Sequence, residues 1–377
     1  MVSIRTFAGD GGGREHYIVA EAPAALDLPG QILALAESYR EALAGLDLPP
    51  ATAVFRRVFL SDVLNQAAPV RESALFDDFV ATSIVQQRPL SGAKVALLAY
   101  HVDGAGGVTK RRLSPRHLLV EKNGKRHLWS TRLCASDAER SLSAESQTRS
   151  IFDDLINALG QQGGTLREHC VRTWIYMKDV DIFYRGMVDS RRELFAEQGL
   201  TGATHFIAST GIEGACAHRY DVVAMDAYSA LDVDPRQVSY PNDFDKLCAT
   251  KDYNVTFERA TRVAYADRAH IFISGTASID SEGEVVHRGD VRLQLDRAVE
   301  NVEALLRAGS ATLDDMTHLI VYLRDPSDLA PIEARLRERL ADLPMIFVQG
   351  AVCRPEWLVE VEGVAIARNN DATMPGF

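Results

Sequence analysis

Thr317-His-Leu-Ile-Val-Tyr-Leu-Arg-Asp325 is a run of β-branched, aromatic and leucine residues closed by an aspartate, and it reads as a buried strand. Two earlier stretches follow the same plan: Val54-Phe-Arg-Arg-Val-Phe-Leu-Ser-Asp62 and Val171-Arg-Thr-Trp-Ile-Tyr-Met-Lys-Asp179. Each is preceded by a segment with helical periodicity, at 31–46, 145–159 and 291–308. In the last of these, Leu293, Leu295, Ala298, Val299, Val302, Leu305 and Leu306 form one broad apolar stripe. Each aspartate leads into a second helical segment and then two strands expected to pair: 82–87 with 94–102, 205–210 with 222–228, and 346–352 with 358–367. The order helix, strand, helix, strand, strand therefore recurs three times, the signature of an internal repeat.

Hairpin-like stretches stand ahead of the second and third copies. His117-Leu-Leu-Val-Glu-Lys-Asn-Gly-Lys-Arg-His-Leu-Trp129 contains the turn pair Asn123-Gly124, and His270-Ile-Phe-Ile-Ser-Gly-Thr-Ala-Ser-Ile279 precedes Asp280-Ser-Glu-Gly283. The first copy has only a remnant around Tyr17. Such a module is α+β, with helices on one face of a mixed sheet. Three of them, at 1–110, 111–240 and 241–377, predict a fused pseudo-trimer whose internal interfaces make a monomer the expected state.

Composition narrows the function. With 46% apolar and 25% charged residues in 377, the chain is an ordinary globular sequence. Its net charge of -11, from 41 basic and 52 acidic residues, and the lack of a dense basic run argue against nucleic acid as a partner. No apolar stretch approaches the roughly 20 residues of a membrane span, and the start has no apolar signal core, so a cytoplasmic protein is expected. The cysteines (134, 170, 216, 248 and 353) are odd in number and form no CxxC pair, which predicts free thiols and no metal site. Gly11-Gly12-Gly13 lacks the context of a phosphate cradle and reads as a flexible loop.

The third copy resembles the RidA (YjgF) superfamily in Ile273-Ser-Gly-Thr-Ala-Ser-Ile279, in the helix around Asp296-Arg-Ala-Val-Glu-Asn301, in Tyr322-Leu-Arg-Asp325, and in Leu358-Val-Glu-Val-Glu-Gly-Val-Ala-Ile-Ala367. A longer pattern resembles the chorismatases. It runs from Thr82-Ser-Ile-Val-Gln-Gln-Arg-Pro-Leu-Ser-Gly-Ala-Lys94 through His205-Phe-Ile-Ala-Ser-Thr-Gly-Ile-Glu-Gly214 and Ser274-Gly-Thr-Ala-Ser278 to Val352-Cys-Arg-Pro-Glu356. The resemblance implies RidA-like (chorismate-mutase-like) modules and an enzyme that converts chorismate to 3-hydroxybenzoate and pyruvate without a cofactor. Alternatives are hydrolysis of chorismate to a dihydroxycyclohexadiene carboxylate, imine or enamine hydrolysis of the RidA kind, and non-catalytic binding of a small ligand. Imine-hydrolysing RidA proteins usually carry an arginine where this chain has Met345, which counts against the third reading.

Chorismate has two carboxylates and an enol ether, so its cleavage needs cationic anchors and an acid able to protonate the enolpyruvyl methylene. Strand alternation puts Glu360 and Glu362 on one face, so Glu360 is the candidate acid and Glu362 its paired neighbour, unless that face is solvated. Cys353, seven residues earlier on an expected adjacent antiparallel strand, is a second candidate, and the resemblance associates a cysteine there with the 3-hydroxybenzoate-forming branch. Arg354 could bind a carboxylate or sit in a surface turn. Arg172, on an apolar strand, is either a substrate anchor or half of a structural ion pair. Gly275 and Thr276 are expected to offer close backbone approach and a hydroxyl, unless they form a plain bulge.

Overall fold

The computed structural model describes residues 1–10, 13–104, 106–135, 143–250 and 255–377. The first module runs β1 (Val2–Ala8), β2 (Arg14–Glu21), α1 (Leu28–Gly45), β3 (Ala53–Leu60), α2 (Val63–Arg71), β4 (Ala81–Gln86) and β5 (Val95–Asp103). The second runs β6 (Thr109–Arg112), β7 (His117–Lys122), β8 (Lys125–Cys134), α3 (Ala144–Gln161), α4 (Leu166–His169), β9 (Cys170–Met177), α5 (Val180–Glu197), β10 (Ala208–Glu213) and β11 (Val223–Ala230). The third runs β12 (Val238–Ser239), β13 (Ala260–Ala264), β14 (Arg268–Ala277), α6 (Val291–Ala308), β15 (Met316–Leu323), α7 (Leu329–Arg339), β16 (Met345–Gln349) and β17 (Val359–Arg368). The fold is α+β and RidA-like, repeated three times.

The sheets share one spatial order: β2-β5-β3-β4, β8-β11-β9-β10 and β14-β17-β15-β16. The three repeated strands are β3, β9 and β15, and all of their residues are buried. Helices cover one face of each strand and the other modules cover the opposite face, so these strands read as continuous apolar runs rather than as alternation. The aspartates that end the runs have a local cause. Asp62, Asp179 and Asp325 accept the backbone N–H groups of Asn65, Ile182 and Ser327, and so cap the helix or turn that follows.

Three expectations need correction. The two last strands of each copy are not neighbours, because β3, β9 and β15 lie between them and pair parallel to β4, β10 and β16. The first copy has a full hairpin, β1 against β2, joined through the glycine run, of which Gly11 and Gly12 lie outside the described residues. The partner of β14 precedes it, as β13, and the turn Asp280–Gly283 leads only to an isolated bridge between Ile279 and Val285. The turn at Asn123-Gly124 is as expected, with φ of 49° and 71°.

Single bridges tie the modules in a ring: Gln86 to Ala215, Ile212 to Val352 and Pro89 to Val348. The sheets' inner faces pack an aromatic core that includes Tyr17, Phe55, Trp129, Trp174, Phe272 and Tyr322. Register across the sheets identifies matching positions. Tyr322 faces Glu360, where the other modules pair Tyr176 with Ala224 and Phe59 with Ala96. Two residues along, Ile320 faces Glu362, Trp174 faces Asp226 and Arg57 faces Leu98.

Candidate active site

A cavity of about 170 Å³ opens between the second and third modules. Module two contributes Tyr184 and Arg191 of α5 and Ser209–Gly211 of β10, while module three contributes Arg259, Gly275, Cys353, Arg354, Trp357 and Glu360. Two geometric accidents of the sheet create it. The register of β14 against β17 slips between Ile273 and Thr276, bulging Gly275 toward β10, and the segment after β16 leaves its own sheet to pair with module two. There Glu213 N–H donates to the Ala351 carbonyl at 3.0 Å, and Ala351 N–H donates back to the Glu213 carboxylate at 2.9 Å.

Glu360 and Glu362 share a face, as alternation predicts, but they meet different surroundings. Glu360 is buried with its side chain on the cavity wall. Burial pushes its carboxyl up to about 8, the Glu362 charge adds to the rise, and Arg172 and Arg259 oppose it. At neutral pH it is therefore a buried, protonated acid. Glu362 points into the core instead, where it accepts from Thr210 Oγ1, Tyr322 Oη at 2.8 Å and Arg172, and pairs with Arg57 at 3.5 Å.

Gly275 has a steric reason. A Cβ there would overlap the Glu360 carboxylate, and its N–H donates to Thr210 Oγ1 at 2.8 Å. Thr276 does not offer its hydroxyl to the cavity. It is fully buried and donates to the Ser274 carbonyl at 2.9 Å, because the bulge turns it inward. Cys353 shares the cavity with Glu360, yet it sits in the bend after β16 and not on a strand beside β17. Burial and the nearby Glu360 push its thiol up to about 12, so it is a neutral contact surface rather than a thiolate nucleophile.

Arg354 lines the cavity, donating to the Gly283 carbonyl at 2.8 Å and stacking 4.6 Å over the Trp357 ring. Arg172 does not line it. Its guanidinium is fully buried, bonded to Glu362 and to the Thr173 carbonyl, and lies over Trp174. Sequence reasoning missed Arg191 and Arg259. Arg191 Nε donates to Thr256 Oγ1 at 3.2 Å, and Arg259 donates to the Cys248 carbonyl at 3.2 Å. Both arginines are buried on the wall. Three guanidinium groups and one protonated carboxyl thus converge on one space, an arrangement suited to a small molecule with more than one carboxylate. Among the described residues, no group of three or more His, Cys, Asp or Glu side chains is placed to hold a metal.

The Endoribonuclease L-PSP family profile matches residues 258–367. A RutC family protein of Pyrococcus abyssi is 35% identical over 98 residues, covering 25% of this chain and 76% of that protein. The chain belongs to the RutC family. The RutC match falls on only part of the chain, and other relatives extend further. A chorismatase of Streptomyces rapamycinicus is 29% identical over 235 residues, 56% of this chain and 66% of that one. A 3-hydroxybenzoate synthase of Streptomyces hygroscopicus is 28% identical over 221 residues, 52% of this chain and 63% of that one. The chain thus spans just under two thirds of the length of these two relatives. A chorismatase crystal structure superposes with a TM-score of 0.64 at 19% identity, covering 84% of this chain and 93% of that one, so this RutC-family chain shares its fold.

Proposed function

We propose that this protein cleaves chorismate to 3-hydroxybenzoate and pyruvate in the cavity between modules two and three. The observation that carries the reading is a protonated, buried Glu360 facing the same space as Arg191, Arg259 and Arg354. The arginines hold the substrate's two carboxylates, and Glu360 protonates the enolpyruvyl methylene carbon to leave an oxocarbenium-like side chain. The neighbouring ring hydroxyl then displaces the ether oxygen and returns its proton to Glu360, giving pyruvate and an epoxide-like ring. That ring opens, its oxygen takes up a proton and the ring carbon loses one, giving 3-hydroxybenzoate. All atoms of chorismate are accounted for in the two products without added water.

A neutral Cys353 thiol beside Glu360 on the cavity wall gives an attacking water no strong acceptor, which favours the internal displacement over addition of water and hence over the diene-diol. Met345 is buried at the start of β16, away from the cavity wall, so the arginine that serves imine hydrolysis in RidA proteins has no counterpart there. No helix among the described residues is long and apolar enough to cross a membrane. We take the modules to divide just before β6 (Thr109–Arg112) and β12 (Val238–Ser239), within a few residues of 110 and 240, and to close on one another as a cytoplasmic monomer, with sedimentation as the check on mass. Incubation of the purified protein with chorismate tests the function. Pyruvate and 3-hydroxybenzoate in equal amounts are expected, and a protein that binds chorismate but releases no pyruvate would be a binding protein instead.

A further inference from the structure

We propose that Arg57, in the one module with no described residue on the cavity wall, is a positioning residue for Glu360 and acts on it through Glu362. The inference rests on Glu360 being the acid of the proposed reaction. Arg57 projects from β3 into the axis of the three sheets, 1% exposed, with Nη1 3.5 Å from Glu362 Oε1 and Nη2 3.6 Å from Asp226 Oδ2. Its guanidinium lies 4.7 Å over the Trp174 ring and also faces Phe55 and Tyr176. Nε and Nη2 make no hydrogen bond among the described residues.

A buried guanidinium with so few hydrogen bonds is expensive for the fold, and an apolar side chain of similar size generally serves as well or better. The pseudo-equivalent positions carry such residues, Trp174 in module two and Ile320 in module three. What Arg57 adds is a positive charge behind the carboxylate pair. Glu362 receives that charge together with Arg172, Thr210 and Tyr322, and stands two residues from Glu360 on the same face of β17. The other charged or titratable groups facing the pair are Arg259, Arg191, Arg354, Cys353 and Tyr184 around the cavity, and Tyr176, Asp226 and His318 on the inner side. His318 is held neutral: burial, then Arg57, push it down to about 3.

A carboxylate beside Glu360 raises the pH at which Glu360 releases its proton, and a cation paired with that carboxylate offsets the rise. Without Arg57, Glu360 holds its proton more tightly. Glu360 then becomes a weaker acid, while the wall that binds substrate is untouched.

The experiment is the pH dependence of kcat and KM for pyruvate release in wild type, Arg57→Met, Arg57→Lys and Asp226→Asn. In Arg57→Met, KM should stay within about twofold, kcat at pH 7 should fall roughly tenfold, and the alkaline limb should move up by about one pH unit. Arg57→Lys should return the limb toward wild type. Asp226→Asn, which frees the Arg57 charge from its other partner, should move it down. A limb that stays in place in Arg57→Met, or a KM that rises with kcat unchanged, overturns the proposal. If Arg57→Met does not fold, Asp226→Asn decides alone, and an upward or absent shift overturns it. The same shift is read without substrate by infrared titration of the protonated carboxyl band that Glu360→Gln removes. A wild type that releases no pyruvate therefore refutes the reaction and leaves the role of Arg57 still measurable.

Discussion

Glu360 lies across Gly275 so closely that any side chain at 275 would enter the space of its carboxylate, and the methyl group of Thr210 closes the same point from the other side at 3.0 Å. The acid is aimed by the absence of a neighbour's Cβ. Gly275→Ala should therefore keep the fold, since the position demands no left-handed backbone, yet push Glu360 off its line. A misplacement of about 1 Å costs on the order of 10²-fold in rate. The check is kcat for pyruvate release beside a melting curve; wild-type kcat in Gly275→Ala would show that the carboxyl has another productive pose.

Glu360→Gln should lose about 10²-fold or more in pyruvate release while still binding substrate, the usual scale for removing a general acid. It should also become the more stable protein as pH rises. The folded carboxyl titrates near 8 against an ordinary value of 4.5, so wild-type stability is complete below about 4.5 and is lost progressively up to about 8. The glutamine does not ionise. Melting temperatures of the two proteins should agree near pH 4.5 and separate by the equivalent of a few kcal/mol at pH 9. Parallel curves would mean that Glu360 is not held protonated.

Cys353→Ala should still cleave chorismate but give less 3-hydroxybenzoate and more diene-diol or 4-hydroxybenzoate, because a smaller side chain admits water beside the ring. Chromatography at matched conversion reads the ratio. An unchanged ratio reduces the thiol to packing.

At the far end of the axis, Glu15 of module one is fully buried and accepts from Tyr100 at 2.6 Å and, in module three, from Arg268 at 2.6 Å and His270 at 2.9 Å. Burial raises its carboxyl, but His270, Arg268 and Tyr100 outweigh that and hold it near 2. Its contribution to stability is therefore present above about 4.5 and lost as pH falls toward 2. Glu15→Gln should cost roughly 3–5 kcal/mol at pH 7, as breaking a buried pair does, and much less at pH 3. Denaturant titrations at the two pH values supply the comparison.

The repeat, the helices and the aspartate caps were legible because each is a local matter of periodicity and one side chain. Strand neighbours were not. Adjacency in sequence suggested that β4 pairs β5, but a parallel crossover inserts β3 between them. The first hairpin was missed although β1 carries Val2, Ile4, Thr6 and Phe7, because it is a short, partly exposed edge strand at the start of the chain. At the site, alternation found both glutamates, but which one meets the cavity and which the core depends on modules two and one. Arg191 on a helix and Arg259 in a loop look like surface arginines until the modules close over them. Thr276 was misjudged by one place, because a bulge reverses which residue faces inward.

The matched bulge in module two has a different outcome. Its two looped-out residues are Thr131 and Arg132, and Arg132 stands where Gly275 stands in module three. Its N–H donates to Asp226 at 2.9 Å and its guanidinium stacks 5.1 Å over Phe76 of module one, so a side chain fills that seam. Opposite Tyr176, where module three has Glu360, stands Ala224. A trimer of identical chains cannot do this, since every residue it places at one seam appears at all three. Duplication within a single reading frame lets the copies drift apart, with one seam left open, another sealed, and the first module's sheet supplying charge from behind through Arg57. A substitution in such a chain acts once, not three times over, so its effect belongs to a single cleft.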